Sequence, residues 1–316
     1  MKNKNILGTS HAKTILIGEH AVVYNKPAIA LPLNTLTITV QITPNQPGQG
    51  LALLSDYYTG PLTQIPEKLT GIKLLIQTIL AEHQVATPDL NLKIISKIPH
   101  ERGMGSSAAV GIAIIRALYN YFNWDLTNNE LLRLANISET YMHKSPSGLD
   151  ATTCASDQPI WMIKNTEIKP LELNLDGYLV ICDTGILGQT KEAIQIVKNN
   201  LTNNPQTAQA HLDNLEKLTY QAKEQLATNQ VHALGQTFTQ AQASLAALGV
   251  SLPEIDNLIA QSLTYGSLGS KITGGGRGGC LICLTADLPT AEKLATQMKQ
   301  AGVQQTWIQN LQRSLD

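Results

Sequence analysis

Apolar and polar positions along the chain fall into two periods, and chemistry-bearing residues gather where one period gives way to the other. Lys13-Thr14-Ile15-Leu16-Ile17 reads as a strand that breaks at Gly18, admits the polar pair Glu19-His20 and resumes at Ala21-Val22-Val23-Tyr24. From Leu31 to Val40, Leu36, Ile38 and Val40 alternate with Thr35, Thr37 and Thr39, the pattern of a half-buried strand. Together they predict a mainly antiparallel sheet at the start of the chain. Pro44 to Gly50 and Ser55 to Pro61 are expected as turn-rich loops, the second exposing aromatics that could lie beside a nucleotide base. Helical spacing runs from Leu69 to His83, and alternation returns at Leu90, Leu92 and Ile94. The apolar run Val110 to Leu118 then reads as a buried helix.

Thr127-Asn128-Asn129-Glu130 has the form of a capping box opening a helix to about His143, with Glu139 and His143 on one face. Pro146-Ser147-Gly148-Leu149-Asp150 fixes a tight loop that presents one carboxylate, either a functional acid or a helix cap. Tyr178 to Cys182 is a buried strand ending at Asp183-Thr184-Gly185, and Thr190 begins a helix. Helices then continue to Gly249, with breaks near Asn203-Asn204-Pro205 and Asn229-Gln230, and another spans Leu252 to Tyr265. After a glycine-rich run at 271–279, strand 280–285, helix 290–301 and strand 304–308 predict a βαβ-like ending. The boundary between two domains falls near 175, giving 1–175 and 176–316.

Composition narrows the function classes. With 316 residues, 43% hydrophobic and 15% charged, the chain has material for two well-packed cores. A formal net charge of -1 removes the electrostatic case for nucleic-acid or membrane-surface binding, so any anion is held by a local site. No run approaches the ~18 apolar residues of a membrane span, and the amino terminus shows no secretory pattern. Four cysteines in a chain of this size predict reduced thiols and a cytoplasmic setting. Cys280 and Cys283 match C-x-x-C, but residues three apart on a strand face opposite ways, which predicts a core role.

The most informative stretch is Pro99-His100-Glu101-Arg102-Gly103-Met104-Gly105-Ser106-Ser107-Ala108-Ala109, between a predicted strand and a buried helix. Glycines followed by two serines that can cap the helix leave its first N–H groups to face an anion, which predicts a phosphate site. A Walker loop fails because no lysine follows Gly105. A dinucleotide fingerprint is formally present as Gly103-x-Gly105-x-x-Ala108, but it does not follow the first strand and no acid ends a strand about 20 residues on. What stays is a phosphate loop whose second serine offers a hydroxyl to Mg²⁺, the metal and the base being held elsewhere.

Three motifs in this order and spacing resemble the GHMP kinases: the segment from Lys13 to Tyr24, the Pro99 to Ala109 loop, and Lys271-x-Thr273-Gly274-Gly275-Gly276-Arg277-Gly278-Gly279-Cys280. Within that family, Gly18-Glu19-His20-Ala21-Val22-Val23-Tyr24 with Pro146-Ser147-Gly148-Leu149-Asp150 is similar to the branch that phosphorylates mevalonate. The resemblance implies an α+β chain of two domains, the first like ribosomal protein S5 domain 2 and the second ferredoxin-like with inserted helices. ATP and mevalonate would meet in a cleft between them. It implies that Asp150 takes or orients the proton of the C5 hydroxyl, with Lys13 beside it. Ser107 and Glu139 would hold Mg²⁺, and Pro99, Gly103, Met104, Gly105, Ser106, Ser107 and Ala108 would form the ATP loop. Glu19, His20, Thr190, Gly275 and Gly276 would shape the acceptor pocket. The partner is a small molecule rather than nucleic acid or membrane, and a homodimer is allowed.

Five positions depart from the family pattern: Asn25 for a usual Gly, Met104 for Leu, His11-Ala12 for a small pair, and Arg277 inside the glycine run. Arg277 either reaches an anion or points to solvent, and exposure is the expectation. A phosphomevalonate kinase would want additional basic residues for its substrate. A catalytically silent binding protein could have lost Lys13, Glu139 or Asp150, and all three are present.

Overall fold

A computed structural model of the chain describes residues 6–99, 102–143 and 147–312, the side chains of 142 and 143 excepted. His100, Glu101, Ser145 and Pro146 therefore lie outside the described residues, as does the face shared by Glu139 and the His143 side chain. In chain order the strands are β1 (Ile6–Ile17), β2 (Pro27–Pro44), β3 (Leu51–Ser55), β4 (Tyr58–Pro61), β5 (Leu90–Ser96), β6 (Ile160–Ile163), β7 (Glu167–Pro170), β8 (Tyr178–Asp183), β9 (Gly269–Ile272), β10 (Cys280–Thr285) and β11 (Gln305–Asn310). The helices are α1 (Thr70–Glu82), α2 (Ser106–Phe122), α3 (Asn128–His143), α4 (Leu149–Ala155), α5 (Thr190–Asn203), α6 (Pro205–Ala227), α7 (Val231–Ala247), α8 (Pro253–Thr264) and α9 (Leu288–Gln300). Two compact units result: one from Met1–Lys13, Leu36–Pro99 and Gly105–Asp157, the other from Thr14–Thr35, His100–Met104 and Gln158–Asp316.

In the first unit, the second half of β2 pairs antiparallel with β5, β5 pairs parallel with β3, and β3 forms a hairpin with β4. Leu36, Ile38, Val40 and Ile42 are buried along β2, as the threonine alternation predicts. The sheet is covered by α2, whose buried residues Ala108, Ala109, Ile112, Ala113, Ile115 and Leu118 encircle it. A helix apolar on nearly every side belongs in the interior, and α1, α3 and α4 pack around this one.

Two expectations are corrected in this unit. Ser55 to Pro61 is not an open loop but the turn and second strand of the hairpin, with Ser55 paired to Tyr58. The Ser55 hydroxyl accepts from the N–H groups of Tyr57 and Tyr58 at 3.3 and 3.2 Å, which closes the turn locally. Ser106 and Ser107 do not cap α2; the cap is Gly105, and the serines occupy the first turn. The Thr127 capping box is half realised. Its Oγ1 accepts from Glu130 N–H at 3.2 Å, but the Glu130 carboxylate turns to Arg133 and Tyr119 instead of the cap.

In the second unit, the first half of β2 pairs with β6, and β6 with β7, both antiparallel. A separate four-stranded sheet has the order β11-β8-β10-β9. Its three pairings are all antiparallel. With β8, β9, β10 and β11 taken as first to fourth, that order is 4-1-3-2, and α9 links the parallel pair β10 and β11 across β8. This is the split βαβ topology of ferredoxin-like folds, with α5 to α8 standing where a single crossover helix would suffice. The βαβ-like ending is thereby borne out. Cys154, Cys182, Cys280 and Cys283 are all free and buried, so the C-x-x-C of β10 is core.

Candidate active site

The first unit brings Gly105, Ser106, Ser107, Ala108 and Glu139 together at the start of α2. Gly105 adopts φ 71°, where only glycine is unstrained, and so turns the chain into the helix. The first helical bond runs from Ala109 N–H to Gly105 O at 2.9 Å, leaving the N–H groups of Ser106, Ser107 and Ala108 ahead of the intrahelical ladder. Ser107 Oγ donates to Glu139 Oε1 on α3 at 2.8 Å, and Glu139 is buried at 4% exposure. Ala108, in the first turn of the helix, is buried.

Lys13 comes to the same place from β1. Its ammonium is 2.9 Å from Asp150 Oδ1, with the lysine side chain 4% exposed and the aspartate 38%. A methyl on Gly105 would lie 2.8 Å from Lys13 Cγ and 3.2 Å from Cys154 Sγ, so the bare glycine is what lets the lysine pass. Asp150 sits in the first turn of α4, whose cap is Gly148, so the carboxylate is not a helix cap. The register of β1 against α4 is fixed by Ser10 Oγ donating to Cys154 O at 2.9 Å. Arg116 on α2 adds bonds to Thr9 O at 2.8 Å and Ala155 O at 3.0 Å. Burial, followed by the charges of Asp150 and Glu139, pushes the Cys154 thiol far up, so it packs rather than reacts.

Chemically, this end of α2 offers backbone donors and helix-dipole charge to an anion. Beside it are a hydroxyl and a carboxylate suited to a hard cation, and a carboxylate held by a lysine yet open to solvent. Among the described residues, no group of three or more His, Cys, Asp or Glu could hold a metal by itself. That fits Mg²⁺, which takes one or two protein oxygens and completes its shell with phosphate and water.

The second unit gathers the residues expected of the acceptor pocket. Glu19 and Lys271 form an ion pair with both side chains at 0% exposure, and the lysine also donates to Ile272 O at 2.7 Å. His20 Nε2 lies 3.1 Å from Gly275 O. A carbonyl can only accept, so this nitrogen carries the proton. Burial, opposed by that hydrogen bond and then reinforced by the charge of Lys271, lowers the His20 pKa from 6.5 to about 4. The ring is neutral at physiological pH. His20 also holds φ 60° and ψ -46°, a conformation costly for a residue with a side chain. Gly275 is pressed against Thr190, where a methyl would come within 2.0 Å of Oγ1. Gly276 O accepts from Gln189 N–H at 3.4 Å, tying the glycine run to the start of α5.

Arg277 corrects its expectation. It is half-buried rather than open to solvent, and it is held within the chain: Nη2 is 3.1 Å from the Glu192 carboxylate Oε1, and Nε donates to Gln189 Oε1 at 3.3 Å. Sequence reasoning missed Lys271 as a partner, as well as Arg102, Asp183 and Arg116. For Lys271 a signal existed. A lysine in a buried strand and a glutamate in an apolar run each need an opposite charge, and the chain supplies one of each.

Residues 71–158 match the family model of the GHMP kinases N terminal domain, and residues 222–304 match GHMP kinases C terminal. Mevalonate kinase of Thermococcus gammatolerans is 31% identical over 94% of this chain and 93% of its own. That of Methanothermobacter thermautotrophicus is 31% identical over 86% and 87%. Among solved structures, mevalonate kinase from methicillin-resistant Staphylococcus aureus MRSA252 aligns with a TM-score of 0.77 at 33% identity, covering 99% of this chain and 100% of that one. L. major mevalonate kinase in complex with R-mevalonate aligns with a TM-score of 0.84 at 25% identity over the same shares.

Proposed function

The chain belongs to the GHMP kinases, and we propose that it transfers the γ-phosphoryl group of ATP to the C5 hydroxyl of mevalonate. The observation that carries the reading is the 2.9 Å contact of Lys13 with Asp150, in the same unit as the start of α2, where Ser107 meets Glu139 of α3. Asp150 accepts the hydroxyl proton as the oxygen attacks the γ-phosphorus. The bond from that phosphorus to the β–γ bridging oxygen breaks, and ADP leaves. Lys13 holds the carboxylate in place at 2.9 Å and its positive charge favours the alkoxide character of the incoming oxygen.

Phosphoryl transfer has a loose transition state, so alignment and charge neutralisation do most of the work. The N–H groups at the start of α2 serve the phosphates, from the loop Pro99, Gly103, Met104, Gly105, Ser106, Ser107 and Ala108. Ser107 and Glu139 would hold Mg²⁺, which neutralises phosphate charge when bound. Glu19, neutral His20, Thr190, Gly275 and Gly276 form the acceptor pocket, with the Nε2 proton of His20 committed to Gly275 O. No described helix is long and apolar enough to cross a membrane; the proposed setting is the cytoplasm, as a monomer or homodimer.

The test is ADP release, coupled to a reporter, with mevalonate, phosphomevalonate, homoserine and galactose offered in turn. Turnover with mevalonate well above the other three is expected. Faster turnover with phosphomevalonate would overturn the substrate, and none with any alcohol would overturn the kinase reading.

A further inference from the structure

The loop before α2 carries a charge pair that the proposed chemistry does not use. Arg102 precedes Gly103, and its Nε is 2.7 Å from Asp183 Oδ1 at the end of β8, the two side chains being 11% and 4% exposed. Asp183 is also anchored by other groups. Its Oδ1 accepts from Gly185 N–H at 2.9 Å, and its carbonyl accepts from Gln304 N–H at 2.8 Å. Arg102 is held by its backbone as well, since a methyl on Gly279 would come within 3.0 Å of Arg102 O. One residue on, Gly103 lies beside Gly274, where a methyl would meet Gly103 O at 3.5 Å. The short segment Arg102 to Met104 is thus seated on the end of the four-stranded sheet by one buried ion pair and by close backbone contacts.

A buried pair is a poor source of stability compared with apolar residues of the same size. Its presence in a loop of the expected ATP site asks for another role. Neither Nε nor Nη1 has an acceptor in hydrogen-bond alignment, so the contact is Coulombic and does not use the fork of the guanidinium. We propose that Arg102 is a positioning residue for the nucleotide: paired with Asp183, it fixes the backbone of Gly103 and Met104 in the conformation that receives the phosphates. This rests on the kinase reading above and adds to it a residue of the Pro99 to Ala109 loop to which that reading gave no role.

The experiment reads nucleotide affinity directly, by equilibrium titration of N-methylanthraniloyl-ADP, which needs no acceptor and no turnover. Arg102→Met and Asp183→Asn are each expected to weaken binding by about tenfold or more, as misplacement of a binding group by a fraction of an ångström does. Arg102→Lys, which keeps the charge, should stay within about threefold, since the contact does not depend on the fork. The double variant Arg102→Met with Asp183→Asn removes both charges, keeps an oxygen for Gly185 N–H, and should recover the melting temperature lost in Arg102→Met without restoring affinity. In steady state, KM for ATP should rise while KM for the alcohol stays put. Wild-type affinity in Arg102→Met, or affinity recovered with stability in the double variant, would overturn the proposal. Wild-type protein that binds the analogue but phosphorylates no mevalonate would count against the substrate reading and leave this one standing.

Discussion

Lys13 Nζ sits 2.9 Å from Asp150 Oδ1, the lysine buried and the carboxylate 38% exposed. The asymmetry matters. The lysine stem runs close over Gly105, while the acid retains access to solvent. Asp150→Asn keeps the shape and removes the proton acceptor, so turnover should fall by about 10²-fold or more, the usual contribution of a general base. ADP affinity should change little. Rapid-quench turnover beside nucleotide titration separates the two, and a near-normal rate would take Asp150 out of the reaction.

Glu139 accepts from Ser107 at 2.8 Å and is nearly inaccessible. Glu139→Gln retains a hydrogen-bonding oxygen but drops the charge that a hard cation prefers. The Mg²⁺ concentration giving half-maximal rate should rise several-fold. An unchanged Mg²⁺ titration would make Glu139 a partner of the serine and nothing more.

Gly105→Ala forces a positive φ on a residue with a side chain and drives a methyl to 2.8 Å from Lys13 Cγ. Strain of about 1–2 kcal/mol is expected from the backbone alone. Because the displaced atoms belong to Lys13, kcat should drop by far more than the loss in folded fraction explains. Denaturant melts run beside steady-state kinetics give both numbers.

His20 links stability to pH. Its folded-state pKa is about 4 against 6.5 in a free chain. Between those values the unfolded chain takes up a proton that the folded one refuses. Stability is therefore fully present above pH 6.5, falls as pH drops through the window, and levels off below about 4, with a total near 3 kcal/mol. His20→Gln has nothing to titrate there, so urea melts at pH 7 and pH 4.5 should differ less for the variant than for wild type. Equal pH dependence in the two proteins would refute the assignment.

Much of this was legible in the sequence, for physical reasons. The breaks between α5, α6 and α7 were marked by Asn204-Pro205 and Asn229-Gln230, and the strands and helix of the ending by apolar period alone. The glycines and the apolar run after them predicted a turn into a buried helix, and Gly105 and α2 are that turn and that helix. Local signals failed where a distant partner decides the outcome. Tyr58 to Pro61 became a strand because β3 offered it an edge, and Glu130 left its cap for Arg133 three residues on. Arg277 was drawn to Glu192 across a large stretch of chain. Charged residues in apolar surroundings were the signal most underused, as Lys271 with Glu19 and Asp183 with Arg102 both show.

The contact of Gly275 with Thr190 has a bearing on redesign. With 2.0 Å between a would-be methyl at 275 and the threonine hydroxyl, the two positions share one allotment of space, and neither can grow unless the other shrinks. A library aimed at bulkier alcohols that randomises residue 275 alone forces residue 190 to shift in every clone that carries a side chain at 275. Trimming residue 190 to serine or alanine still leaves its Cβ 2.6 Å from a methyl at 275, so only glycine at 190 makes room for a larger residue there.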